Sequence, residues 1–312
     1  MVSIIIPLFN KETTIQRAIN SALNQTYKNC EVIVVDDCST DESSNICKGF
    51  NGKIRLISTD KNEGSSSSRE KGRINAKGKY ITFLDADDYL DKNAIEQCVK
   101  CQKRTDADIV QMNIIRRISK FELPITFKSS YNTSKALEAC LYNEHLFPVQ
   151  CWGKLYKYET LKNINHLDYN GFWGDDRIFN LAIMAKSPQI KVVSSARYNY
   201  MWGGATSSNF DINTLQEYKQ VYQLKCDWAK TNGYETHIHY MKIELIRLLK
   251  YHIRHLINSK TMSKSEALEY LHIELNQPFW TSFNLLDANK LYETEKKSFN
   301  RVIKKQISNL IK

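Results

Sequence analysis

Proline and glycine are scarce in this chain, 5 and 11 of 312 residues. With 42% hydrophobic and 25% charged residues, that is the composition of an ordinary soluble globular protein rather than a low-complexity one. No apolar run approaches the roughly 18 residues that span a bilayer, so no transmembrane helix is expected. No basic region precedes the apolar start Met1–Ile6, and Pro7 arrives too early for a signal peptide. The expected location is therefore the cytosol. No G-x-G-x-x-G follows the first strand signal, which argues against a dinucleotide-dependent oxidoreductase. No internal repeat is present, and Ser65–Ser68 is the one biased stretch.

The eight cysteines form no framework and read as reduced, small core residues. Cys98-x-x-Cys101 falls on a helix signal with no second pair at zinc-ligand spacing, so packing is preferred over zinc or redox chemistry. The seven histidines show no ligand spacing, and His252 and His255, in a basic helix, are expected at the surface. A net charge of +10 points to a polyanionic partner, nucleic acid or an anionic membrane surface. Its distribution matters more, since Lys296–Lys312 holds six basic and no acidic residues.

The first 115 or so residues alternate strand and helix signals. Ser3–Pro7 is a short continuous apolar run suited to a central parallel strand. Asn10 is placed to cap the next helix, where Ile15, Ala18, Ile19, Ala22 and Leu23 recur at helical spacing. Strands are expected at Glu31–Val35, Ile54–Ile57, Tyr80–Leu84 and Asp108–Asn113, with helices near 41–50, at Arg69–Ala76 and at Asp91–Lys103. This rhythm predicts an α/β fold, a parallel or mixed sheet with helices on both faces. Residues 116–150 are less regular, and from about 210 the pattern turns helical, which predicts domains at 1–208 and 209–312.

Ligands bind past the carboxyl ends of such strands. Phe9-Asn10, Asp36-Asp37 and Asp85–Asp88 stand at three of these ends. Carboxylates as close as Asp85, Asp87 and Asp88 repel one another unless a cation intervenes, and a hard divalent ion brings phosphates with it. Asp88 and Asp91 equally suit the N-terminus of the following helix; for Asp85 and Asp87 metal and phosphate chemistry is the preferred reading.

The stretches Ser3–Asn10, Val34–Asp41, Asn62-Glu63-Gly64 and Phe83–Asp88, in this order and spacing, resemble the family 2 glycosyltransferases, inverting enzymes of the GT-A fold. The match is close to about residue 115 and looser to about 208. The resemblance implies a nucleotide-binding role for Pro7, Leu8, Phe9 and Asn10, with Phe9 packing on the base. Asp37 would accept a hydrogen bond from uracil, with Asp36 as second candidate. Asp85-Ala86-Asp87 would be the DXD motif, Asp87 ligating Mn²⁺ or Mg²⁺ and Asp85 contacting ribose or metal. Asn62 and Arg69 would contact the donor, although Ser68-Arg69-Glu70 departs from the family's Ala-Arg-Asn.

Gly174-Asp175-Asp176-Arg177 resembles the family's acidic motif in its hyaluronan-synthase form. It implies Asp176 as general base and Asp175 as an orienting group, or the reverse. An N-cap with adjacent acids is the alternative. Trp152 and Lys154, in a segment like one beneath the family's acceptor site, join Trp173 and Trp202 as acceptor candidates. Tyr198-x-Tyr200-x-Trp202-Gly203-Gly204 reads as a mobile aromatic loop over the sugar.

The implied reaction moves a hexose or N-acetylhexosamine from a UDP-sugar to a glycan or lipid-linked acceptor, and nucleic acid is not expected as a partner. Abundant Asn, Lys and Ile suggest a low-GC bacterial source, where such enzymes build capsule or lipo-oligosaccharide. The basic C-terminal stripe would meet the inner face of the membrane, or would be the solvated face of a packed helix. A phosphate-receiver domain fits less well, because a whole βα unit precedes the acidic strand end. A non-enzymatic sugar- or nucleic-acid-binding module remains the alternative from another class.

Overall fold

Val2–Leu8, seven consecutive buried residues, form strand β1 of the computed structural model. The structure describes residues 1–118, 121–125, 130–131, 133–142, 148–162, 174–186, 188–201, 213–257, 263–275 and 277–281. A strand buried on both faces needs parallel neighbours covered by helices, and β1 has them. After helix α1 (Ile15–Leu23), strand β2 (Cys30–Asp36) lies parallel along one edge of β1. Helix α2 (Ser43–Lys48) leads to β3 (Arg55–Ser58), parallel to β2 at the sheet's edge. Helix α3 (Gly64–Ile74) then returns the chain to β4 (Tyr80–Phe83), parallel to β1 on its other side.

Beyond β4 the sheet becomes mixed. Short β5 (Tyr89–Leu90), helix α4 (Ala94–Thr105), β6 (Ile109–Ile118), β7 (Phe121–Ile125) and β8 (Ser130–Tyr131) follow. Helix α5 (Thr133–Leu141), β9 (Lys154–Lys157), α6 (Tyr158–Lys162), α7 (Asp175–Met184) and β10 (Ile190–Met201) complete this part of the chain. The strand order is β3-β2-β1-β4-β9-β6-β10-β5, with β7 paired to β6 and β8 to β10. Antiparallel β9 separates the parallel β3-β2-β1-β4 set from the parallel pair β6 and β10.

The chain divides into two compact units, Met1–Ser208 and Asn209–Lys312. The second is helical: α8 (Thr214–Thr231), α9 (Ile238–Ile257), α10 (Lys264–Leu275) and α11 (Pro278–Thr281). A buried ion pair, Lys225 to Glu244 at 2.5 Å, joins α8 to α9. No described helix is long and apolar enough to cross a membrane. The basic stripe 296–312 lies outside the described residues.

Several expectations need correction. Asn10 does not cap α1. Its backbone is left-handed (φ 49°), a state asparagine tolerates, and its Oδ1 accepts from the Thr40 amide at 2.8 Å, tying the end of β1 to the loop after β2. The third helix starts at Gly64, not Arg69, because Asp37 supplies the acceptors its first amides need. The fourth starts at Ala94 with Asn93 before it, so neither Asp88 nor Asp91 is its cap. Tyr198 and Tyr200 belong to β10, not to a loop. His252 is buried, its ring 5.9 Å from that of Tyr218, because it lies on the apolar face of α9 with Met241, Leu245 and Leu249.

Gly72 sets how closely α3 lies on β1. A Cβ there would overlap Ile5 Cγ2, deep in the central strand. Gly72→Ala is expected to lower stability by about 1–3 kcal/mol, the usual cost of overpacking. A drop in the urea midpoint with unchanged slope is the measurement that checks it.

Candidate functional site

Parallel alignment of β2, β1 and β4 brings their carboxyl ends side by side. Pro7 and Leu8 are buried there, and Phe9, 41% exposed, is the residue of the three that offers an open face. Asp36 is buried and its Oδ1 accepts from the Ser39 amide at 3.1 Å. Asp37, also buried, accepts from the amides of Glu63 (3.0 Å) and Gly64 (2.7 Å) and from Thr59 Oγ1 (3.0 Å). Its carboxylate holds the start of α3 against the end of β2. Asn62, exposed beside it, accepts from the Gly64 amide at 3.1 Å.

The turn after β4 gives its carboxylates different surroundings. Asp85 meets Arg69 Nη2 at 2.9 Å. Burial pushes its pKa up, the charges of Asp87 and Asp176 add to that, and Arg69 opposes it. Ala86 is buried. Asp87 Oδ2 lies 2.7 Å from Lys11 Nζ, and its backbone carbonyl accepts from Arg17 Nη2 at 2.6 Å. Asp88 is wholly buried, accepting from Tyr198 Oη at 2.7 Å and from the Met201 amide at 2.8 Å. Burial first, then Asp85, raises its pKa well above the carboxylate range. The same Tyr198 oxygen accepts from the Asp85 amide at 3.1 Å, so one phenol fixes both ends of the turn.

Gly174, in the left-handed conformation (φ 89°), starts α7 and puts Asp175 and Asp176 in its first turn. Asp175 is fully engaged: Oδ1 accepts from the Asp176 amide at 2.8 Å, and Oδ2 from Ser65 Oγ (3.0 Å) and Arg69 Nη1 (3.2 Å). Burial, reinforced by Asp176 and opposed by Arg69, pushes its pKa up to about 6. Asp176 Oδ1 accepts from the Cys151 amide at 3.0 Å and thiol at 2.7 Å, with Arg69 Nη1 at 3.7 Å. Arg69 thus faces carboxylates from two distant parts of the chain. It lines a small cleft with Phe83, Cys151, Asp175, Asp176 and Phe179.

Two of the acceptor candidates, Trp152 and Lys154, are among the described residues. Trp152 is buried and stacked between Tyr198 (4.7 Å) and Tyr200 (5.1 Å). Lys154 is wholly buried, its Nζ donating to the Gln150 carbonyl, and burial lowers its pKa to about 8. Trp173 and Trp202 fall outside the described residues.

Sequence reasoning missed Lys11, Arg17, Ser65 and Cys151. Basic residues just after β1 were a usable signal for the first two; Cys151, 25 positions from Asp176, gave none. Among the described residues no three His, Cys, Asp or Glu side chains converge as a metal cage. Asp87 and Asp85 are hard oxygen donors at one turn, each balanced by a cationic side chain. That set fits a divalent ion that takes its remaining ligands from a diphosphate and water.

Comparison with known proteins bears on the fold and the family. Glycosyltransferase GlyG of Streptococcus pneumoniae serotype 4 is 24% identical over 80% of this chain and 87% of its own length. Glycosyltransferase GlyA of the same organism is 30% identical over 64% of this chain, which spans only 30% of GlyA. The poly(ribitol-phosphate) beta-N-acetylglucosaminyltransferase TarP of Staphylococcus aureus is 27% identical over 71% of the chain and 72% of TarP. S. aureus TarS in complex with UDP-GlcNAc shares the GT-A fold, with a TM-score of 0.58 at 19% identity over 95% of this chain and 78% of TarS. Residues 3–164 match the model of glycosyl transferase family 2, and to that family the chain belongs.

Proposed function

We propose that the protein is an inverting, metal-dependent glycosyltransferase moving a hexose or N-acetylhexosamine from a UDP-sugar to a glycan or lipid-linked acceptor. One observation carries this reading: Arg69 holds the carboxylate turn after β4 and the acid pair of α7 at a single point. Arg69 then links a donor site to a base. UDP is favoured because TarS, a fold neighbour, binds UDP-GlcNAc.

In this reading Phe9 stacks on the base, and Asp36, Asp37 and Asn62 shape its pocket. The diphosphate lies at the turn of Asp85 and Asp87, within reach of Lys11 and Arg69. A divalent ion held by Asp87 and Asp85 would supply charge neutralisation for the departing UDP. The acceptor hydroxyl gives its proton to Asp176, its oxygen bonds to the anomeric carbon from the face opposite the diphosphate, and the electron pair of the broken bond leaves with UDP. Asp176 suits the base role better than Asp175, because both oxygens of Asp175 are held by the amide, hydroxyl and guanidinium donors around it.

Calorimetric titration with UDP, with and without Mn²⁺ or Mg²⁺, tests the donor half. UDP is expected to bind at least about tenfold more tightly with the ion, and Asp87→Ala to lose that increment. Failure of UDP to bind at all would return the chain to the non-catalytic binding-module class. Capsule or lipo-oligosaccharide as product, a cytoplasmic location and contact with an anionic membrane through 296–312 are proposals resting on sequence alone.

A further inference from the structure

We propose that Cys151 is a positioning residue for Asp176, fixing one carboxylate oxygen so that the other is left to take the acceptor's proton. The proposal rests on the reading of Asp176 as the base. Both donors of Cys151, the amide at 3.0 Å and the thiol at 2.7 Å, converge on Oδ1. A carboxylate held at one oxygen cannot spin about its χ2 axis, and Oδ2 gains a fixed direction.

The placement of Cys151 is itself fixed from α7. Asn180 Nδ2 donates to the Val149 carbonyl at 2.7 Å and to the Asp176 carbonyl at 2.9 Å, stapling the segment before β9 to the helix that carries the base. Tyr156 Oη donates to the Cys151 carbonyl at 3.0 Å from the other side. Asn180 and Tyr156 are both buried. An apolar packing cysteine has no need of such a frame.

A thiol also suits the task chemically. Burial raises the Cys151 pKa well above the ordinary value, so the sulfur keeps its proton at neutral pH and stays a donor. As a weak donor it directs the carboxylate while binding it less strongly than a hydroxyl would. The other groups facing Asp176 are Arg69 from α3, Asp175 on its own helix, Asp85 after β4, and Lys154 and Tyr156 from β9. All of them are unchanged in the Cys151 variants.

The test uses the full chain with Cys151→Ala, Cys151→Ser and Asp176→Asn. The probe reaction is UDP release from UDP-glucose, UDP-galactose and UDP-N-acetylglucosamine with water as acceptor. Cys151→Ala is expected to lower kcat about tenfold, with the donor KM and UDP affinity unchanged, and to move the acidic limb of the pH profile upward. Cys151→Ser is expected to restore kcat to within about threefold and to move that limb downward, since a hydroxyl stabilises the carboxylate more. The infrared S–H band isolated by subtracting the Cys151→Ser spectrum should shift to higher frequency in Asp176→Asn, where the acceptor is neutral.

A wild-type kcat and pH profile in Cys151→Ala, or an S–H band unmoved in Asp176→Asn, overturns the proposal. So does a parallel fall in UDP affinity and melting temperature, which would mark Cys151 as packing. If Asp176→Asn is inactive while Cys151→Ala behaves as wild type, only the positioning role falls. If Asp176→Asn keeps its kcat, the base reading itself falls.

Discussion

Asp176→Asn is expected to lower kcat by about 10²- to 10⁴-fold while leaving UDP affinity within about a factor of two, the range ascribed to a general base. Asparagine is close to isosteric and can still accept from the Cys151 amide, so the frame around α7 survives the change. The Asp85–Asp87 turn is built by β4, Lys11, Arg69 and Tyr198, and of their charged groups Arg69 is the one that pairs with Asp176, at 3.7 Å. On the proposed reading, donor binding and proton removal are therefore expected to separate. Steady-state kinetics beside calorimetric UDP binding checks this; loss of both together would mean that Asp176 belongs to the donor site. Asp175→Asn should behave differently, losing stability through its Ser65 and Arg69 contacts as well as activity.

The largest effect on stability is expected at Arg69. Its side chain is 10% exposed and faces Asp85, Asp175 and Asp176. Removing one partner of a buried ion pair leaves uncompensated charge, at a cost of about 3–5 kcal/mol. Arg69→Met should incur a loss of that order near neutral pH. The pH dependence has a definite sign. Asp85 and Asp175 already have raised pKa values with Arg69 present, and Arg69 is the largest influence opposing the rise. Without it the folded-state values climb further above the unfolded ones. A carboxylate with a raised folded pKa destabilises progressively as pH increases from its unfolded toward its folded value. The gap between wild type and Arg69→Met should therefore be small near pH 4 and widen toward pH 7. Urea midpoints at both ends of that window check it, and a gap independent of pH would mean that Arg69 acts by packing alone. Arg69→Lys keeps the charge but not the fork that reaches Asp85 and Asp175 at once, so it should recover only part of the loss.

The parallel half of the sheet was legible because its signals are local. Continuous apolar runs ending in polar residues marked β1, β2 and β4, and strand polarity alone then put Phe9, Asp36-Asp37 and Asp85–Asp88 at one edge. What failed was non-local. Asn10 has the composition of a cap, but its partner is Thr40 across a loop. Asp88 suits a helix start, yet its partner is Tyr198, 110 positions on. The twelve residues of β10 escaped notice because their pairing with β6 shifts register between Val193 and Arg197, which breaks the alternation a strand normally shows. His252 looked exposed because its sequence neighbours are basic, while its own side of α9 is apolar. The resemblance named Arg69 as a donor contact, but its role in joining two carboxylate clusters could not be read. Its partners Asp85 and Asp175 are 16 and 106 positions away, and nothing in a helix of serines announces them.

The hydroxyl of Tyr198, which joins the Asp85 amide to the Asp88 carboxylate, has a consequence for the order in which the protein is made. Strands β1 to β4 and their helices are complete within the first 83 residues and can assemble as the chain leaves the ribosome. The turn that follows is different, since its shape is held by a phenol and an amide from the last strand of the sheet. A nascent chain therefore carries β1 to β4 long before the turn after them is locked. Asp85 and Asp88 gain their Tyr198 and Met201 partners only once residues 190–201 have emerged.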